Sequence, residues 1–509
     1  MSGHVLSVVI FLPLVGVAAL VLGGREIGDA TARWLTLFIT VVTFLVSLAI
    51  LGRFDHADPG FQLVERASWV PSVGLQYVVG VDGISLWLVL LTTFLFPVSV
   101  LASWTIAAHV RRYMIAMLVL ETAVVGSFLA LDLIVFFIFF EALLVPMYLL
   151  IGGWGGDRRV YAAVKFFLYT MTGSAFLLVA ILFLYSRTGA TTFELSALTD
   201  PASTLPLETA RWLFLGFFVA FAVKVPIVPL HTWLPDAHAE APTAGSVLLA
   251  GVLLKVGAYG LIRFDMALFP EAAKHFATPI SVLAVIGIIY GAVCALSQRD
   301  LKRLVAYSSV SHLGFVILGM FALTQQAVTG GVVQMVNHGL ATGALFLLVG
   351  MVYDRTHTRR LDEMGGLASQ MPWLLGFFLF AVFASAGLPG LNSFVGEFLV
   401  IAGTFAVSHW FGALASVAVV LGAIYLLWSY QRVAYGPIRP EHRTLPDVSA
   451  REVVVIAPVL ALLLVFGVYP KPLTEAIDPA TKHVIEQVAP DHATTVVPAV
   501  DVAGAGGGG

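Results

Sequence analysis

Apolar runs of about bilayer-spanning length recur along almost the whole chain, separated by short clusters of polar, glycine and proline residues. A membrane-spanning helix needs roughly 20 consecutive, mostly apolar residues. The pattern predicts such helices near residues 4–22, 33–51, 83–106, 113–131, 133–151, 161–185, 209–234, 244–264, 278–297, 303–322, 327–352, 372–404, 408–431 and 452–468, fourteen in all. The stretch from Tyr113 to Ile151 holds no lysine or arginine. As one helix it would run about 58 Å at ~1.5 Å per residue, roughly twice a bilayer core. It is therefore split near Asp132 into a tight helical hairpin. The first run lacks a basic start and reads as a membrane helix rather than a cleaved signal peptide. Residues 470–509 shift to Pro, Ala, Thr and Gly and read as an interfacial segment followed by a disordered tail.

Basic residues orient this array, because loops rich in lysine and arginine stay cytoplasmic. Loops after odd-numbered helices hold 17 of the 27 lysines and arginines, among them Arg111, Arg112, Arg158, Arg159, Lys302, Arg355 and Arg359. Loops after even-numbered helices, with the tail, hold 8. Both termini are thus expected on the outer side. Two helices look discontinuous: AVKVPIVPLHTWLP in the seventh and SAGLPGLNSFVGEF in the twelfth. Pro226, Pro229 and Pro389 remove backbone donors there. Such breaks are tolerated at membrane depth only where protein or water satisfies the backbone. The breaks lie five helices apart, so their segments cross in opposite directions, the arrangement of an inverted repeat with its ion site at the midplane. The expected architecture is an all-α polytopic membrane protein with two inverted five-helix repeats, 111–266 and 278–433. An N-terminal three-helix segment, 1–110, precedes them, and a last helix, 452–468, comes before the tail.

Composition agrees with this class. Of 509 residues, 59% are hydrophobic and only 11% charged, against roughly 25% charged in soluble domains. A net charge of −3 gives no sign of nucleic-acid binding. The single cysteine, Cys294, forms no internal disulfide and holds no iron–sulfur cluster, so it reads as a small core residue.

Against that background the buried charges stand out. Lys224 and Lys255 sit inside two of the most apolar stretches. Ionisable residues within membrane helices are costly and mark ion or proton paths. Glu141, Lys224, Lys255, His312 and His338 fall near the middle of successive predicted spans, and Glu397 lies in the second half of the broken twelfth. A shared depth suggests a relay in the membrane plane. Lys, Glu and His each exchange protons near neutral pH once burial and neighbours shift them. Pro146 is expected to free the Ala142 carbonyl beside Glu141, and Ser308, Ser309 and Ser311 to hold water around His312. The plainer readings are a structural Lys224–Glu141 bridge, a carbonyl-bonded Lys255, packing histidines and a structural Glu121. In HTWLPDAHAE, the residues His231, Asp236, His238 and Glu240 read as a polar helix entrance rather than a metal site, with His238 as a group through which protons come in.

The run VKVPIVPLHTWLPDAHAEAPTAGSVLLAGVLLKVGAYGLIRF resembles the hallmark segment of the proton-translocating, antiporter-like membrane subunits of respiratory complex I. DGISLWLVLL, LDLIVFFIFFEALLVPMYLLIGGWG, SSVSHLGFV and GLPGLNSFVGEFLVI match the same family over about residues 80–405. Glu397 in FVGEF looks M-type, since L- and N-type subunits and the antiporter relatives typically carry lysine there. The chain also ends without the long lateral helix that typifies the L-type. The resemblance implies that Glu141 and Lys224 form an input pair, Lys255 is central, His312 and His338 bridge, and Glu397 is the exit group. It further implies no cofactor in this chain, with flavin, iron–sulfur clusters and quinone in partner subunits. Expected partners are other membrane subunits of complex I, including the L- and N-types, and the lipid of the inner (cytoplasmic) membrane. The alternative reading is a subunit of a multisubunit sodium/proton antiporter.

Overall fold

A computed structural model of the chain describes residues 3–492. Its helices, in chain order, begin with α1 (Val5–Leu22), α2 (Asp29–Leu51), α3 (Gly83–Ala102), α4 (Val110–Leu129), α5 (Leu133–Trp154) and α6 (Arg159–Thr188). Next come the short α7 (Leu195–Ser203), then α8 (Leu207–Lys224), α9 (Trp233–Glu240), α10 (Thr243–Leu268), α11 (Pro270–Leu296), α12 (Leu301–Phe321) and α13 (Gln325–Thr356). The last are α14 (Pro372–Ser385), α15 (Asn392–Phe405), α16 (His409–Ala434), α17 (Ala450–Val468) and α18 (Lys471–Val488). Twelve of these are long and apolar enough to cross a membrane; α14 and α15 are shorter apolar helices on either side of a break. Residues 493–509 of the expected tail lie outside the described residues.

The helices begin and end where local chemistry requires. The 113–151 stretch divides at Asp132, whose carboxylate caps α5 by accepting from Ile134 N at 2.9 Å and Val135 N at 3.2 Å. Such caps satisfy donors that have no partner inside the helix. Asp300 caps α12 in the same way, accepting from Lys302 N and Arg303 N. α8 stops at Lys224 because Pro226 supplies no N–H. The Ala222 carbonyl accepts instead from Ile227 N at 2.9 Å, and the Val223 carbonyl from Trp233 Nε1 at 2.9 Å. The α14–α15 gap turns on Gly387 and Gly390, at φ 75° and 91°, backbone that glycine enters without steric cost. Across it, Asn337 Nδ2 donates to the Asn392 carbonyl at 2.7 Å, and Asn392 Nδ2 to the Asn337 carbonyl at 3.0 Å.

Two features go beyond the all-helical expectation. β1 (Gln62–Val70) and β2 (Leu75–Val81) form an antiparallel hairpin with Arg66 opposite Val78 and Ala67 opposite Tyr77. Gly74, at φ 71°, closes its turn. The Glu65 carboxylate ties the hairpin to the start of α1, accepting from Leu6 N at 2.7 Å. The segment after residue 470 is a defined amphipathic helix, α18, which buries Leu473, Ile477, Val484 and Ile485 against α3 and α13. A Cβ at Gly83 would overlap the Ala476 carbonyl, so α18 seats directly on the start of α3.

Burial is graded across the bundle. α10 and α13 are wholly enclosed by other helices, whereas α1, α2, α6, α16 and α17 leave most of their apolar surface outward. That outward surface suits lipid or neighbouring subunits, while the enclosed pair provides the low-dielectric centre in which the ionisable groups sit.

Candidate functional site

α10 carries Lys255, and its backbone is adapted to a buried ammonium. Two stretches, Leu249–Leu253 and Leu261–Asp265, widen to π-helix. Such widening displaces regular helical hydrogen bonds and is common at functional sites. The Lys255 ammonium donates to the Ala250 carbonyl within the first of them, and its Nζ lies 2.7 Å from His338 Nδ1 on α13. Lys255 is fully buried and His338 only 2% exposed. Lys255 therefore has a hydrogen-bonded titratable partner in addition to its carbonyl.

A second pair follows on the other side of α13. His312 Nδ1 on α12 lies 2.7 Å from Glu397 Oε1 on α15, and Tyr425 Oη of α16 lies 3.3 Å from His312 Nε2. Gln334 Nε2 donates to the same Glu397 oxygen at 2.9 Å. The His312 and His338 ring centroids are 6.0 Å apart. The sequence of groups is thus Lys255–His338, one gap, then His312–Glu397, all within the enclosed centre. The Asn337–Asn392 amide exchange stands next to His338 and fixes the start of α15, and with it Glu397, against α13.

The other half is looser. Lys224, 2% exposed, has no hydrogen-bond partner on Nζ, which lies 4.8 Å from the Phe140 ring centroid and 5.7 Å from that of Phe166. Glu141 is near enough to act on it electrostatically, but the two do not form a direct ion pair. Glu141 is partly exposed. The last turn of α8 rests on α10, where a Cβ at Gly257 would fall 2.7 Å from Lys224 Cβ. α5 is interrupted at Leu143, between its segments Leu133–Ala142 and Leu144–Trp154, beside Glu141. The serines near His312 are engaged by carbonyls: Ser308 and Ser309 donate to Val305, and Ser311 to Ile288.

In the polar segment after the first break, Asp236 bridges Lys165 Nζ at 2.7 Å and Arg303 at 2.9 Å. His238 is fully buried, stacks on Phe346 at 4.5 Å, and has no hydrogen-bond partner on either ring nitrogen. Glu121 is also fully buried with no partner on either carboxylate oxygen. Several polar residues of the centre escape sequence reading. Gln334, Tyr425, Asn337 and Asn392 are ordinary in an apolar run and acquire meaning only through contacts between distant segments. Arg263 and Lys302 read as loop cations, yet both are buried: Arg263 pairs with Asp82 and Lys302 Nζ donates to the Ala241 carbonyl.

This bundle, with its row of buried acids and bases, matches a family model described as NADH:quinone oxidoreductase/Mrp antiporter, transmembrane, over residues 130–422, and the chain belongs to that family. The chain is 47% identical over 504 residues to NADH-quinone oxidoreductase subunit M of Rhodobacter capsulatus, covering 96% of this chain and 98% of that one. It resembles a chain of respiratory complex I from Thermus thermophilus with TM-score 0.87 and 33% identity, covering 95% and 99% of the two chains. Within the family it is of the M type, an antiporter-like membrane subunit of bacterial respiratory complex I. The Mrp complex of Dietzia shares the fold, with TM-score 0.81 at 24% identity, covering 94% of this chain and 52% of that one.

Proposed function

We propose that the chain is the proton-translocating M-type membrane subunit of an NADH:quinone oxidoreductase in the bacterial inner membrane. It moves protons outward through Glu141, Lys224, Lys255, His338, His312 and Glu397, driven by redox chemistry in partner subunits. Those partners are the other membrane subunits of the complex, the L- and N-types among them. Flavin, iron–sulfur clusters and quinone belong to partners, and both termini face outward. The observation that carries this reading is the succession of two buried hydrogen-bonded pairs, Lys255–His338 and His312–Glu397, separated by one gap of 6.0 Å between ring centroids.

The chemistry follows from the pairs. A lysine and a histidine 2.7 Å apart share a proton, and in a low-dielectric interior a second positive charge on the pair is strongly disfavoured. An added proton is therefore driven onward. His312 accepts it beside the Glu397 carboxylate, which stabilises the charged ring. A ring rotation or a bridging water closes the gap between the histidines. On the input side, any shift of Glu141 toward Lys224 stabilises the ammonium, and withdrawal releases its proton towards Lys255. The sodium/proton antiporter reading shares only the fold, and Glu397 at the exit position favours the M-type.

Glu397 provides the test. Glu397→Asp keeps a titratable carboxylate one methylene shorter and is expected to pump partially. Glu397→Gln retains hydrogen bonding but carries no proton and is expected to pump far less, measured in reconstituted vesicles per assembled complex. Parental pumping by Glu397→Gln would make the residue structural and overturn the relay's exit.

A further inference from the structure

The relay described above has no wet access drawn to its centre, and the structure offers one. A cleft of about 310 Å³ opens at the face that bears most of the loop arginines. Asp157, Glu240, Asp354, Tyr353, Arg359 and Lys302 line it. Glu240 is held in place, its carboxylate accepting from Arg158 N at 2.9 Å and its carbonyl from Gly156 N at 2.9 Å. Two cations close the C-terminal end of α9: Arg359 donates to the Ala239 carbonyl and Lys302 to the Ala241 carbonyl. Cations are favoured there by the free carbonyls and the helix dipole. Arg359 also reaches Asp300 at 3.4 Å, whereas Lys302 has no carboxylate within ion-pair distance among the described residues and is only 8% exposed.

Directly inward, on the same turn of α9, is His238. It is fully buried, and neither ring nitrogen has a partner. It lies within electrostatic range of both Lys302 and Lys255, and His338 lies within range of it. A cleft, a buried lysine at its floor, an unpartnered buried imidazole and the Lys255–His338 pair thus succeed one another from the surface to the centre. Only the lysine separates water in the cleft from the imidazole.

We propose that this cleft is the inlet through which protons reach the Lys255–His338 pair, with Lys302 as its gate and His238 as the next carrier. This rests on the relay reading given above. In each passage a hydronium in the cleft protonates the neutral Lys302 amine. The ammonium then gives one proton to a ring nitrogen of His238, directly or through one water. His238 passes a proton to the Lys255–His338 pair and returns to neutral. One proton moves, and no other bond changes. While Lys302 holds its proton on the Ala241 carbonyl, its charge bars a second cation from entering. The inlet meets the relay at its centre, so the central pair fills without drawing on Lys224.

The plain alternative is that Lys302 only caps α9, and substitution separates the two. Lys302→Arg keeps the cap and the charge but holds its proton at every working pH. In inner-membrane vesicles containing the whole complex, pumping per NADH oxidised is compared for the parent, Lys302→Arg and Lys255→Ala. The inlet predicts that Lys302→Arg loses at least half of what Lys255→Ala loses. Parental pumping by Lys302→Arg beside a blocked Lys255→Ala would overturn the inlet and leave the relay standing. Parental pumping by both would overturn the relay itself. Should Lys302→Arg fail to assemble, Val349→Cys in a Cys294→Ser background gives an independent reading, since Val349 lines the cleft. A membrane-impermeant thiol reagent is expected to label it from the arginine-rich face and to cut pumping at least twofold, with NADH oxidation by an artificial acceptor unchanged. No labelling, or labelling with full pumping, would overturn the inlet.

Discussion

Removing Arg263 is expected to destabilise the subunit by more than removing its whole ion pair. Arg263 and Asp82 are paired with side chains only 7% and 3% exposed, at the far end of α10 from the cleft. Tyr259 Oη lies 3.2 Å from Arg263 Nε, and the guanidinium stands 4.7 Å from the Phe61 ring centroid. Taking one partner from a buried pair costs about 3–5 kcal/mol, because the other charge is left uncompensated. Asp82 would retain its capping bonds from Ile84 N at 3.1 Å and Ser85 N at 3.0 Å. Those bonds place Arg263→Met at the low end, about 3 kcal/mol. The double variant Asp82→Asn with Arg263→Met leaves no charge and keeps an N-cap side chain, so it is expected within about 1 kcal/mol of the parent. The assay is the thermal inactivation midpoint of the assembled complex, with native-gel quantification of intact subunit. A double variant as unstable as Arg263→Met, or a single variant indistinguishable from the parent, would refute the argument that the pair is desolvated and mutually compensating.

Two further predictions concern the looser half and the outer face. Lys224→Ala is expected to reduce pumping strongly while the complex still assembles, since alanine suits a helix and removes an unpartnered buried charge. Glu141→Gln should resemble it, and the double variant should be little worse than either, as for groups acting as a unit; additive losses in the same pumping assay would show that they work separately. On α18, burial raises the Asp478 carboxyl above its ordinary value, partly offset by the Thr329 hydroxyl donating at 2.8 Å. A raised carboxyl pKa in the docked state means that its stabilising contribution is complete below the ordinary value near 3.9 and is lost as pH rises through the raised one. Asp478→Asn should therefore slow hydrogen exchange of the α18 backbone at pH 7 and change it little at pH 4; equal or faster exchange at pH 7 would count against the assignment.

The membrane frame is legible in the sequence because lipid imposes a length and a polarity on every crossing. The same constraint exposes Lys224, Lys255 and Glu397, since charge in an apolar run has few structural excuses. Depth along a helix is also readable, so the histidines could be placed level with the lysines. What a linear reading lacks is azimuth. It places Lys255 and His338 at one depth but does not show them bonded, and it gives no means of seeing Asn337 meet Asn392 across 55 intervening positions. Lys302 was hidden for a different reason: two residues after the capping Asp300, it reads as a cation at a helix start, and only the fold around it reveals burial. The hairpin was missed because β2 runs without a break into the apolar run of α3, so a window of span length merges them.

The enclosure of α10 and α13 has an electrical consequence. Five of the six proposed carriers are sealed from the bilayer by the subunit's own helices, like a conductor in its sleeve. Lipid composition or loss of a neighbour should leave the insulation of that conductor intact. Glu141 alone reaches the rim. Any signal that arrives from an adjoining subunit as a field or a small displacement, rather than through wholesale movement of helices, has one terminal on which to act.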